Sequence, residues 1–126
     1  MSEKIKTTVI GAAGRMGRQI IKEISSSEKF ELIGAIEDKE SKFIGEDAFR
    51  LAEAKKESLS ITHNLIDAVV DSNVLIDFSS INSTLSAIEL SAQSRITHVI
   101  GTTGFSNKEL AFFGVNVVLN LGIFHL

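Results

Sequence analysis

Gly11, Gly14 and Gly17 recur every third position in Gly11-Ala12-Ala13-Gly14-Arg15-Met16-Gly17, and no other residues in the chain are so well placed to admit a ligand. The β-branched run Thr7-Thr8-Val9-Ile10 precedes them, and the helix-patterned Arg18-Gln19-Ile20-Ile21-Lys22-Glu23-Ile24 follows. Glycine lacks a Cβ, so a strand can turn sharply here, a ligand can approach the backbone, and the helix can pack closely on the strand. The free amides of a helix start, backed by the positive end of its dipole, then suit a pyrophosphate. A strand, a glycine turn and a helix near the start of the chain make up the setting in which spaced glycines predict a dinucleotide site. Glu37 stands twenty positions beyond Gly17. At the end of a second strand it would accept hydrogen bonds from adenosine ribose hydroxyls, the alternative being a solvated strand-end carboxylate. Arg15, inside the loop, either turns a guanidinium fork on a phosphate or sits in solvent.

These residues need a scaffold, and the pattern of the chain supplies one. Residues 30–37 read as a buried strand and residues 38–60 as a polar loop with at most a short helical turn. Leu59-Ser60-Ile61-Thr62 reads as a short strand, and Asn64 as the cap of a helix over residues 65–70. Val74-Leu75-Ile76-Asp77-Phe78 is an apolar run of strand length stopped by serines, residues 84–93 have helical spacing, and His98-Val99-Ile100-Gly101 forms a further strand. Ser106 and Glu109 have the spacing of a capping box. Strands alternating with helices predict an α/β fold, a Rossmann-like parallel sheet with helices on both faces. Ligands bind beyond the carboxyl ends of such strands, so the turns Asp77-Phe78-Ser79-Ser80 and Gly101-Thr102-Thr103-Gly104-Phe105 should edge the same crevice as the glycine loop. Ordinary turn chemistry is the plainer reading of both.

The composition narrows the function. The chain has 126 residues, 44% of them apolar and 23% charged, which is the make-up of a globular domain rather than a disordered one. A net charge of −3 without a basic run argues against a nucleic-acid partner. The charged start lacks the apolar core of a signal peptide, and no stretch reaches the roughly 20 apolar residues of a membrane span, so no membrane partner and a cytoplasmic location are expected. The absence of cysteine fits a reducing compartment and removes disulfides, thiolate metal sites and a cysteine nucleophile. His63, His98 and His125 are scattered without metal-ligand spacing and read as surface or packing histidines, and no metal is expected.

The segments GAAGRMGRQ at 11–19, IE at 36–37, IGED at 44–47, IDFS at 76–79 and VIGTTGF at 99–105 occur in order. Through them the chain resembles the nucleotide-binding domain of the dihydrodipicolinate (4-hydroxy-tetrahydrodipicolinate) reductase family. The resemblance implies reduction of a cyclic unsaturated dicarboxylate by NADH or NADPH in lysine and diaminopimelate biosynthesis, with a homo-oligomer, usually a tetramer, in the full-length family. It implies a cofactor site made of Gly11, Ala13, Gly14, Arg15, Met16, Gly17, Glu37, Phe78, Gly101, Thr102 and Thr103. Arg15 and Met16 would lie beside the pyrophosphate, Glu37 on the adenosine ribose, and Phe78 with the Gly101-Thr102-Thr103 turn at the nicotinamide. No catalytic residue is assigned. Asp38 stands where an arginine is expected in members that hold a 2′-phosphate, so NADH is the preferred cofactor and NADPH the second candidate. Other glycine-loop enzymes fit less well: the short-chain dehydrogenases use a Tyr-x-x-x-Lys pair and the semialdehyde dehydrogenases a cysteine, and the chain contains neither tyrosine nor cysteine.

The chain also departs from the family. Residues 106–113 run directly into Gly114-Val115-Asn116-Val117, as though a strand had been skipped, and the family's substrate domain, with its His-His, Lys and Ser-Gly-Thr stretch, has no counterpart in these residues. The expectation is therefore a single dinucleotide-binding domain over residues 1–126, with a divergent or truncated tail at 106–126 and the substrate domain absent. The dicarboxylate would be engaged only where a second domain is supplied. The competing reading is an NAD-binding module without catalytic activity, a remnant or a redox sensor.

Overall fold

The computed structural model describes residues 3–54 and 58–109. Strand β1 (Ile5–Ile10) leads into helix α1 (Arg15–Ser25) and strand β2 (Phe30–Ile36), followed by a four-residue helix α2 (Ala48–Leu51) and helix α3 (Leu65–Asp71). Strand β3 (Val74–Asp77), helix α4 (Ile81–Ser94) and strand β4 (Thr97–Ile100) complete the order. The four strands form one parallel sheet in the order β2-β1-β3-β4.

Alternation along the strands sends side chains to two cores. Val9 packs with Leu32, Ala35, Ile21 and Ile24 of α1, and Ala48 and Phe49 of α2 on one face. Ile10, its neighbour, packs with Ile36, Leu75, Val69 of α3 and Ala87 of α4 on the other. Helices therefore cover both faces, as expected for parallel strands that are apolar on each side. Gly17, Ile21 and Ile24 form the buried stripe of α1, spaced to lie on one face of a helix. Burial of each large side chain contributes roughly 1.5–3 kcal/mol relative to exposure.

The expected elements form, with two adjustments. Residues 59–62 make no strand. Leu59 and Ile61 bond instead to the preceding loop, Ala48 N–H to the Leu59 carbonyl at 2.8 Å and Ile61 N–H to the Glu46 carbonyl at 2.8 Å, while Thr62 N–H reaches the Ala35 carbonyl at 3.0 Å, leaving isolated bridges at Ser60 and Thr62. Helix α4 begins at Ile81, three residues before the apolar spacing suggests, because Ser80 is its cap and not a terminator: the Ser80 hydroxyl accepts the Ser83 N–H at 3.2 Å. The capping box is real and reciprocal, with Ser106 N–H donating to Glu109 Oε1 at 2.7 Å and Glu109 N–H to Ser106 Oγ at 3.2 Å. The remainder of the expected tail, residues 110–126, lies outside the described residues. Among the described residues no helix is long and apolar enough to cross a membrane.

The register aligns the carboxyl ends of the strands. Ile10 pairs with Ile36 on one side and Asp77 on the other, and Asp77 pairs with Ile100. Glu37, Gly11, Phe78 and Gly101 are the residues immediately beyond this row.

Candidate functional site

The strand order reverses direction at β1, since the chain passes to β2 on one side and then to β3 on the other. A crevice opens outside the strand ends at such a switch point. Two hollows lie there. The larger, of about 530 Å³, is lined by Ile10, Gly11, Gly14, Ile36, Glu37, Asp38, Lys39, His63, Leu65, Phe78, Ser79, Ser80, Ser83 and Ser86. The second, of about 360 Å³, is lined by Gly14, Arg15, Met16, Phe78, Ser79, Ser80, Ile81, Gly101, Thr102 and Thr103. Gly14, Phe78, Ser79 and Ser80 belong to both. The glycine loop and the turn after β3 are thus the neck between them.

The glycines have separate duties. Gly11 sits at φ +86°, and a Cβ there would come within 2.4 Å of the Phe78 carbonyl oxygen. Its backbone turns where a side chain would strain and clash. Gly17 is buried on the inner side of α1, against the Gly11 carbonyl. Gly14 is exposed and caps α1 without any side-chain hydrogen bond. A Cβ at Gly14 would meet only the Gly11 carbonyl oxygen, at 3.4 Å, and otherwise project into the neck. The first-turn amides of α1 have no side-chain acceptor there, as an anion cradle at a helix start requires.

Glu37 is fixed by the loop it borders, its Oε2 accepting the Ala13 N–H at 2.8 Å. The Ala13 carbonyl in turn accepts from Arg18 Nε at 2.7 Å, and the Arg18 guanidinium lies 5.4 Å from the centre of the Phe43 ring. Ala13 is therefore buried and clamped on both sides of its peptide, contributing conformation and not surface. Arg15 and Met16 are exposed at the second hollow. Phe78 lays its ring against Gly101, where a Cβ would come within 2.1 Å of the ring. The Thr102 hydroxyl is engaged within the protein, accepting from Ser79 N–H at 3.1 Å and from the Thr84 hydroxyl at 2.9 Å. Thr103 is the exposed threonine of that turn.

The structure thus gathers all eleven sequence-predicted residues around one cleft, nine lining a hollow and Ala13 and Gly17 supporting the loop behind it. His63, Ser83 and Ser86 line the larger hollow and were not singled out as site residues. Ser80, Ser83 and Ser86 follow an i, i+3, i+6 spacing that puts them on one side of a helix start, a signal masked by placing that start at residue 84.

The sequence matches the family described as dihydrodipicolinate reductase, N-terminus, over residues 5–114. It is similar to 4-hydroxy-tetrahydrodipicolinate reductases from Parvibaculum lavamentivorans, 44% identical over 106 residues covering 83% of this chain and 39% of the relative. A second relative, from Sinorhizobium fredii, is 42% identical over 112 residues, covering 88% and 41%. A dipicolinate-bound dihydrodipicolinate reductase from Paenisporosarcina sp. TG-14 shares the fold, with a TM-score of 0.72 at 22% identity over 98% of this chain and 47% of that one. The chain spans about two fifths of the length of these curated relatives, 39% and 41%. By the family match over residues 5–114 and the 44% identity to the Parvibaculum lavamentivorans relative, the chain belongs to the dihydrodipicolinate reductase family, whose N-terminal domain it matches.

Proposed function

We propose that the chain binds NAD(P)H and forms the cofactor-holding part of a reductase of the dihydrodipicolinate type, in the cytoplasm, on the route to lysine and diaminopimelate. The observation that carries this reading is the pair of hollows joined at Gly14 and the turn after β3. A dinucleotide is two nucleosides joined by a pyrophosphate, and the neck is where unshielded amides and a missing Cβ coincide. In this reading residues 1–126 act as one dinucleotide-binding unit, with 106–126 as its tail. Arg15 and Met16 flank the pyrophosphate, and Glu37 receives the adenosine ribose on the carboxylate oxygen not bound to Ala13. Phe78, Gly101, Thr102 and Thr103 border the nicotinamide. The bound cofactor supplies the hydride, while this chain's residues bind it, orient it and fix which face is presented.

A cyclic dicarboxylate needs a cationic clamp and a proton donor. Among the described residues, the hollow at Thr103 offers only Arg15 as a cation. Substrate binding and assembly into a homo-oligomer are accordingly proposed for the form that carries the family's second domain. Calorimetry of the purified chain should give saturable, one-site binding of NADH, with no reduction of the dicarboxylate above background. Absence of NADH binding would overturn the reading. Steady turnover by the chain alone would overturn its division of labour.

The adenosine-side hollow predicts a cofactor preference. Glu37 and Asp38 both line it, with Lys39 as the nearest cation along the chain. A phosphate brought to about 4 Å from one carboxylate meets a repulsion of roughly 4 kcal/mol at an effective dielectric of 20. Solvent and salt reduce this strongly at the exposed Asp38. A residue of about 1.4 kcal/mol corresponds to tenfold, so NADH should bind at least about ten times more tightly than NADPH. Equal or reversed affinities in a competition titration would contradict this.

A further inference from the structure

We propose that His98 is a positioning residue of this cleft: buried in β4, it holds the Asp77 carboxylate, which in turn sets the Ser79 and Thr102 turns at the hollow occupied by the nicotinamide. The proposal rests on the dinucleotide reading above.

Asp77 and His98 are 0% and 1% exposed, with His98 Nε2 3.0 Å from Asp77 Oδ2. The other carboxylate oxygen, Oδ1, accepts the Ser79 N–H at 3.1 Å, the Ser79 hydroxyl, and the Thr102 hydroxyl at 3.5 Å. One carboxylate therefore ties the turn after β3 to the turn after β4. On the far side of the ring, His98 Nδ1 lies 3.2 Å from the Ser91 hydroxyl, which is also 3.1 Å from the Ile88 carbonyl. Both ring nitrogens therefore have a partner, and toward the carboxylate the ring presents Nε2 as donor. Every buried side-chain polar atom among the described residues has a partner. Without the imidazole, a buried carboxylate would be left short of a donor. The least costly response is to rotate toward Ser79 and Thr102, whose hydroxyls already face it, and to drag their turns with it. The change falls chiefly on the second hollow, because Thr102 lines that hollow and not the larger one, which the network reaches only at Ser79 and, through the α4 cap, at Ser80 and Ser83.

NADH and ADP-ribose share the adenosine and pyrophosphate and differ in the nicotinamide. The parent chain should bind NADH more tightly than ADP-ribose. In His98→Leu the ratio of the two affinities should fall at least fivefold, with ADP-ribose affinity itself within about twofold of the parent. His98→Gln, which can again donate to Asp77, should recover much of the ratio. A purely structural role would lower both affinities together or leave the ratio unmoved, and either result overturns the proposal. Should His98→Leu fail to fold, the parent still tests it through the ring nitrogen resonances. NADH should shift those of His98 where ADP-ribose does not, while His63, which lines the adenosine-side hollow, responds to both. An identical His98 response to the two ligands, or none, overturns the proposal. Binding of neither ligand by the parent overturns the dinucleotide reading and the positioning role with it, whereas binding of both with an unmoved ratio overturns the positioning role alone.

Discussion

Gly14→Val should weaken NADH binding at least a hundredfold while the chain remains folded. The two halves of this expectation come from the same atoms. Gly14 has φ −75° and ψ 170°, an extended conformation that valine adopts readily, and its Cβ would contact only the Gly11 carbonyl oxygen at 3.4 Å. The substitution therefore asks little of the protein. It asks a great deal of a ligand, because Gly14 lines both hollows and the isopropyl group would stand in the neck between them. Hydrogen bonds from backbone amides to a charged group contribute about 1.5–3 kcal/mol each. Loss of two such bonds corresponds to roughly a hundredfold in affinity or more. Calorimetry with NADH, beside a thermal melt of the same sample, checks both halves. A folded variant that binds within tenfold of the parent would remove the glycine loop from the phosphate site.

The cleft was readable from the sequence because the glycine loop, Glu37, Phe78 and Gly101 each follow a strand whose apolar run stops abruptly. In a parallel sheet all such stops fall on one edge. What the sequence did not disclose depends on which partner a backbone or side chain selects. Leu59 to Thr62 has strand-like residues, yet the backbone of Leu59 and Ile61 is taken by the 45–48 loop, and only Thr62 reaches the edge of β2. Ser80 is chemically equally able to end a strand turn or cap a helix, and only the Ser83 amide in front of it decides. His98 fits the reading of a packing histidine, but its link to Asp77 spans 21 residues and depends on the alignment of β3 with β4, which no local pattern specifies. Glu37 was legible as a cleft carboxylate. That one of its oxygens is bound to Ala13 was not, since the contact needs the strand ends in register.

Gly17→Ala should lower stability by about 3 kcal/mol, although helix propensity alone predicts the opposite sign. Replacing glycine by alanine inside a helix gains up to about 1 kcal/mol from reduced backbone freedom. Gly17 lies in the first turn of α1, so that gain is available. Against it stands the position of the added methyl, 2.0 Å from the Gly11 carbonyl oxygen and 2.8 Å from its carbon. These are backbone atoms of a residue that cannot step aside, because Gly11 is at φ +86°, its N–H is bonded to the Ile36 carbonyl at 2.9 Å, and the Phe78 carbonyl closes its other side. The helix must therefore lift off the turn that begins it, opening the core around Ile21 and Ile24. Overpacking of this kind costs typically 1–3 kcal/mol and more where backbone must move, which outweighs the propensity gain. For a domain of this size the melting temperature should fall by about 10 °C. Gly14→Ala is the matched control, since its methyl has room, and it should melt close to the parent. A Gly17→Ala chain as stable as the parent would mean that α1 does not rest on the Gly11 carbonyl, and the close helix–strand contact that holds the first-turn amides at the neck would have to be abandoned.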